Sequence, residues 1–179
     1  MSLHYAIMTA LLDGERTGYD LAKQFDVSLG FFWTASHQQI YRALKELSRD
    51  GLIEVNEIAQ AGKPDKRSYR LTDAGHDALN DWVLKEGNRT PPQRDELFVR
   101  LYNLSSANRG ELITAVKERA TSHADRLALY ERIRDRHYSE PARLRGRRRG
   151  VYLALLAGIH KEQAGLSWAE AALAYLGAR

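Results

Sequence analysis

The 179-residue chain has no cysteine. That excludes a disulfide, a thiolate-held metal and a cysteine nucleophile, and it fits the reducing cytoplasm, where the protein is expected to work. Proline is scarce: there are four, two of them adjacent at Pro91-Pro92, so strong breaks in helical pattern are few. Long apolar runs are missing as well. The opening stretch MSLHYAIMTALLDGERTGYD turns acidic after a short apolar segment and has no small-residue cleavage pattern, so neither a signal peptide nor a membrane span is expected. The glycine and serine signatures of dinucleotide, phosphate and acyl-transfer sites are absent. Among His4, His37, His76, His123, His137 and His160, no two stand three or four residues apart to chelate from one helical face. The expectation is a protein that binds rather than catalyses, with no cofactor, no metal and no membrane partner.

What is present is an apolar share of 44%, enough to fill a core in one domain or two small ones. The net charge of +4 is unevenly spread, since residues 1–90 carry −2 and residues 91–179 carry +6. Within the first half, residues 60–70 hold Lys63, Lys66, Arg67 and Arg70 against Asp65 alone, a local excess that matters more than the total.

Leu3, Ile7, Ala10 and Leu11 recur at helical spacing, and Asp13-Gly14 ends that helix. Thr17 can cap a second helix with Leu21, Ala22 and Phe25 on its apolar face. A third starts near Ser36, keeps Ile40, Ala43, Leu44 and Leu47 on one side and stops at Gly51. The period then changes to two, with Ile53, Val55 and Glu57 in one run and Tyr69 and Leu71 in the next, around a basic turn at residues 61–66. That is a hairpin. Thr72-Asp73 caps a helix packing through Ala78, Leu79, Trp82 and Val83. The prolines place a linker at residues 89–92, dividing a domain of residues 1–88 from one of residues 93–179.

The second domain reads as nearly all helix. In its long central segment Ile113, Val116, Ala120, His123, Leu127, Tyr130, Arg134 and His137 alternate steps of three and four, a seam suited to a helix partner. The last helix, from about Arg148 to Leu176, carries Tyr152, Leu155, Ile159, Leu166, Leu173 and Leu176. It is too apolar to stand alone, so a second copy of the chain is expected to cover it. Arginines at 143, 145, 147, 148 and 149 form a basic run before it. That run reads as a solvated surface, with contact to a polyanion as the alternative.

Three helices followed by a hairpin is the order of a winged helix-turn-helix, whose third helix enters the major groove while the hairpin reaches the flanking backbone. With Ile40, Leu44 and Leu47 inward, a 100° step per residue sends Gln38, Arg42, Lys45 and Arg49 outward, with Gln39 and Tyr41 beside them. Glutamine can pair with adenine, arginine with guanine and lysine with phosphate. The candidate DNA-binding set is therefore Ser36, Gln38, Gln39, Tyr41, Arg42, Lys45 and Arg49 from the helix and Lys63, Lys66 and Arg67 from the hairpin. The plain alternative is an ordinary solvated helix face.

The segments LHYAIMTALL, TGYDLAKQF, QQIYRALKELSRDGLI and GKPDKRSYRLTDAG resemble the PadR-like winged-helix transcriptional regulators from about Leu3 to Glu86. Gly158, Glu162, Trp168 and Leu173 extend a looser likeness to the last helix of the longer members. Two positions depart from the family pattern: Gln38 stands where glycine is common before Gln-Ile-Tyr, and Arg42 where proline is common after it. The resemblance implies a mainly α fold with a small β-hairpin, a winged helix-turn-helix domain followed by a helical dimerisation domain. It implies a homodimeric regulator of double-stranded DNA, usually a repressor, acting on an inverted repeat and relieved in many members by a small molecule. It further implies that the last helix packs near the partner's Leu3 and Ile7, which joins these two to the dimerisation set. Tyr152, Trp168 and Tyr175 are the candidate residues for a small aromatic effector, because aromatic rings stack on planar ligands. A winged-helix adaptor that contacts proteins without binding DNA is the competing expectation.

Overall fold

Ile7, Met8, Ala10 and Leu11 lie on one side of the first helix, α1 (Ser2–Leu11), and all four are buried, so the 3.6-residue period fixes which face turns inward. The structure, a computed structural model, describes residues 2–27, 33, 35–58, 66–85 and 95–177. The expected linker at 89–92 and the hairpin tip with Lys63 lie outside them. The chain divides into two compact units, Met1–Arg89 and Thr90–Arg179.

In the first unit α2 (Gly18–Val27) starts where Thr17 Oγ1 accepts the Asp20 N–H at 3.1 Å, while Asp20 accepts the Thr17 hydroxyl at 2.6 Å. Helix α3 (His37–Arg49) opens on a capping box: Ser36 Oγ accepts the Gln39 N–H and Gln39 Oε1 accepts the Ser36 N–H. After it come β2 (Ile53–Ile58), β3 (Lys66–Leu71) and α4 (Asp73–Leu84), the last capped by Thr72. A two-residue strand, β1 (Arg16–Thr17), joins the hairpin, giving a three-stranded antiparallel sheet in the order β1-β3-β2. Sequence periodicity cannot show so short a strand. Ile40, Leu44 and Leu47 meet Ile7, Leu21, Phe25, Ile53 and Leu79 in one core, and Tyr5 stacks on Trp82 with ring centres 4.6 Å apart. One expected core residue is corrected: Val83 is exposed, because Gly75, Leu79 and Trp82 already define the inward stripe of α4 and Val83 stands about a fifth of a turn from its centre.

The second unit pairs two long helices, α6 (Arg109–His137) and α7 (Gly146–Tyr175), through a turn at Pro141–Arg143, with the short α5 (Glu96–Tyr102) against α6. They run antiparallel. Arg109 meets the Leu176 carbonyl, His123 meets Glu162, and Arg148 meets the His137 carbonyl. These three contacts are two heptads apart on each helix, so the seam predicted on α6 is filled by α7 of the same chain. Leu155, Ile159 and Leu176 are buried here, and Ile7 is buried in the first unit. These four members of the expected dimer set therefore pack within their own chain. The basic run serves the same joint in part: Arg145 donates to the Ala142 and Leu144 carbonyls and Arg143 pairs with Glu140, as basic side chains near a helix C-terminus do.

Asp95 caps α5 by accepting the Leu97 N–H at 3.0 Å and receives both terminal nitrogens of Arg119 from α6. The guanidinium, first, and the backbone N–H hold its carboxyl below the usual aspartate range. A depressed folded pKa contributes stability that is full above the unfolded value, about 4, and is lost as pH falls through the folded one. Asp95→Asn should thus cost about 1–2 kcal/mol at pH 7 and progressively less as pH falls below about 4, in urea unfolding followed over a pH series.

Candidate nucleic-acid interface

Helix α3 separates its residues cleanly: Ile40, Ala43, Leu44 and Leu47 are buried, whereas Gln38, Gln39, Tyr41, Arg42, Lys45 and Arg49 are exposed. The outward set expected from the sequence is therefore brought onto one face. Its members are not equally available. Ser36 and Gln39 hold each other in the capping box, so their first task is to start the helix. Tyr41 lays its ring over Gly18 at the start of α2, where a Cβ would come within 2.5 Å of the ring, so the tyrosine also sets how closely α2 and α3 approach. Arg49 pairs with Asp50 at 3.0 Å. Arg42 donates from Nε to Glu46 at 3.0 Å, and Glu46 reaches His4 of α1 with its other oxygen at 2.9 Å. Arg42, and then His4, hold the Glu46 carboxyl below its usual range.

The hairpin is less basic at its base than the sequence suggests. In the β2–β3 register Glu57 faces Arg67 and Glu54 faces Arg70, and both pairs close as salt bridges. Counting along the chain misses carboxylates that face from the other strand. Lys66 takes the first position of β3, paired with Ile58, and Lys63 lies outside the described residues. Glu15, just before β1, accepts from Ser68 and from Asn56 (3.1 Å), which lowers its pKa and ties both hairpin strands to the start of the helix-turn-helix. Glu15, Glu46 and His4 were absent from the expected site. Only the Arg42–Glu46 spacing of four was readable as a helical ion pair.

The effector candidates do not converge within the chain. Tyr152 lies beside Tyr138, with ring centres 5.4 Å apart, while Trp168 meets Phe98 edge-on at 5.0 Å and Tyr175 is exposed. At 1.5 Å rise per residue, Tyr152 and Tyr175 are about 35 Å apart along α7. Of the expected dimer residues, Leu3, Tyr152, Leu166 and Leu173 are half-buried, whereas Val151 and Leu153 on α7, outside that set, are exposed. No group of residues able to hold a metal ion, and no helix long and apolar enough to cross a membrane, occurs among the described residues.

Residues 7–81 match the transcriptional regulator PadR-like family, and residues 93–177 match the virulence activator alpha C-terminal family. The negative transcriptional regulator PadR of Bacillus subtilis is 33% identical over 178 residues, covering 97% of each chain. The crystal structure of that protein with operator DNA has a TM-score of 0.79 at 31% identity and covers 98% of this chain and 99% of its own. Its structure with p-coumaric acid has a TM-score of 0.72 at 30% identity over 99% of each chain.

Proposed function

The chain belongs to the PadR-like family of transcriptional regulators, and from that premise we propose that it is a sequence-specific repressor. In this reading it acts in the cytoplasm as a homodimer on an inverted-repeat operator and is released by a small aromatic effector. The observation that carries the DNA reading is the outward face of α3, with Gln38, Arg42 and Lys45 opposite a buried Ile40, Leu44 and Leu47 and beside an antiparallel wing. A two-fold dimer presents two such helices, so the half-sites should lie about 34–36 Å apart or at a multiple of that. Support for the dimer comes from α7, which leaves Val151 and Leu153 exposed after α6 has covered its inner seam. Support for the effector comes from the relative that binds p-coumaric acid, with the Trp168–Phe98 corner as the aromatic site to examine first.

The test is equilibrium binding to the chain's own promoter region across a salt series. Gln38→Ala should cost about 1–3 kcal/mol on the operator and relax one base position. Lys45→Ala should weaken specific and random duplexes alike and reduce the salt slope by about one. Because Arg67 already has Glu57 across the ladder, Arg67→Ala should change the slope less than Lys45→Ala does. Adding phenolic acids to the same assay should release the operator, and a release of tenfold needs about 1.4 kcal/mol of preference for the unbound geometry. Binding indifferent to every one of these changes would refute the reading.

A further inference from the structure

We propose that Glu46, anchored by His4, presets the Arg42 guanidinium as a guanine-reading fork; this rests on the DNA-reading role of α3 given above. The carboxylate of Glu46 is engaged through both oxygens, Oε1 by Arg42 Nε at 3.0 Å and Oε2 by His4 Nε2 at 2.9 Å. Held from α1 on one side, it is hindered from swinging round to the arginine's terminal nitrogens. The bond to Nε leaves Nη1 and Nη2 as a planar pair of donors for an outside acceptor pair. In the major groove guanine offers O6 and N7 side by side as acceptors. Adenine offers N7 beside an amino donor, which a guanidinium cannot accept from.

Exposure is graded along the chain of contacts. The side chains are 24% exposed at His4, 32% at Glu46 and 81% at Arg42, so the anchor is half-buried and the fork stands in solvent. A free arginine would have to give up its rotamer freedom on docking; one already tied through Nε gives up less, and the saving is realised only where the docked base matches the preset direction. Glu46 is thus a positioning residue, and its effect falls on specificity.

Electrostatics alone predicts the opposite sign, which makes the proposal testable. A carboxylate beside the groove repels phosphate, so deleting it should strengthen binding to every duplex if it does nothing else. The experiment selects duplexes from a randomised pool with the full-length protein, then measures affinity for the selected site, for its guanine-to-adenine variants and for random DNA. Wild type should enrich an inverted repeat with one guanine per half-site whose preference over adenine, roughly 5- to 150-fold, disappears in Arg42→Ala. Glu46→Ala should bind random DNA more tightly yet lose most of that guanine preference, and Glu46→Gln, which can still accept from Nε, should keep more of it than Glu46→Ala does. On the Arg42→Ala background, Glu46→Ala should leave the base ratio unchanged. A Glu46→Ala variant that gains affinity for all duplexes equally, with the guanine ratio intact, overturns the positioning role. An enriched repeat with no guanine sensitive to Arg42 overturns the fork while leaving the DNA reading standing. If wild type enriches no sequence at all, the DNA reading fails and the fork with it.

Discussion

His123→Leu is expected to lower the stability of the C-terminal unit by about 3 kcal/mol, and adding Glu162→Leu to the same chain should return most of it. Glu162 is 3% exposed in its side chain, and its close partner is the His123 ring, with Arg126 farther off at 3.5 Å. Removing the histidine leaves a carboxylate between two helices with one partly exposed guanidinium to answer it. Removing both polar groups leaves an apolar layer continuous with the leucines above and below. The polar pair adds little net stability over a leucine pair; what it adds is registry. In the α6–α7 seam Val116, Ala120 and Leu127 offer no polar partner, and a slip by one heptad toward the start of α6 would bury Glu162 against Val116 instead of His123. The site is also shaped for an aromatic ring: at Gly165 a Cβ would come within 2.5 Å of His123, so only glycine admits the imidazole there. Denaturant unfolding of wild type and the two variants separates these terms. Equal losses in the single and the double variant would mean that His123 acts through packing alone.

That seam also shows what a sequence discloses and what it withholds. The steps of three and four from Ile113 to His137 identify α6 as half of a helix pair without any coordinates, since period alone fixes a face. The identity of the other half is not local information. Tyr152, Leu155, Ile159, Leu166, Leu173 and Leu176 have the same steps, and the sequence alone does not say how they divide between a second copy of the chain and α6, which pairs with α7 through Pro141–Arg143 and buries Leu155, Ile159 and Leu176. What remains for a partner is the outer stripe with Val151 and Leu153. The reading helix was legible for the same reason as α6, because burial of Ile40, Leu44 and Leu47 dictates which side chains face out. Contacts across 42 residues, such as His4 to Glu46, and the glutamates that face Arg67 and Arg70 from β2, depend on packing and register and leave no trace in local periodicity.

Gly75→Ala should cost the N-terminal unit about 3 kcal/mol and lower its melting point by roughly 10 °C or more, whereas Gly110→Ala in α6 should stabilise by up to about 1 kcal/mol. The two substitutions are chemically the same and differ only in what the new methyl meets. At Gly110 nothing lies within 4 Å. At Gly75 the methyl would sit 2.1 Å from the Leu52 carbonyl oxygen and 3.0 Å from Leu71 Cδ2, and a backbone atom cannot step aside as a flexible side chain can. Leu52 is held on both sides, because its N–H donates to the Leu47 carbonyl at 3.0 Å and its own carbonyl accepts from Thr72 at 3.2 Å. Thr72 in turn caps α4 through the Gly75 N–H and donates its hydroxyl to the Gly51 carbonyl at 2.7 Å. The end of α3, the entry to β2, the exit of β3 and the start of α4 therefore meet at one point, and displacing Leu52 shifts the reading helix against the wing. At 25 °C a unit stable by about 5–15 kcal/mol survives the loss, so operator binding can be measured on the folded variant. Its specific affinity should fall more than its affinity for random duplex, since charge is unchanged and only the angle between helix and wing is altered. A Gly75→Ala variant that melts with wild type and binds the operator normally would show that α4 moves away without carrying Leu52 along, and that this junction does not set the geometry of the interface.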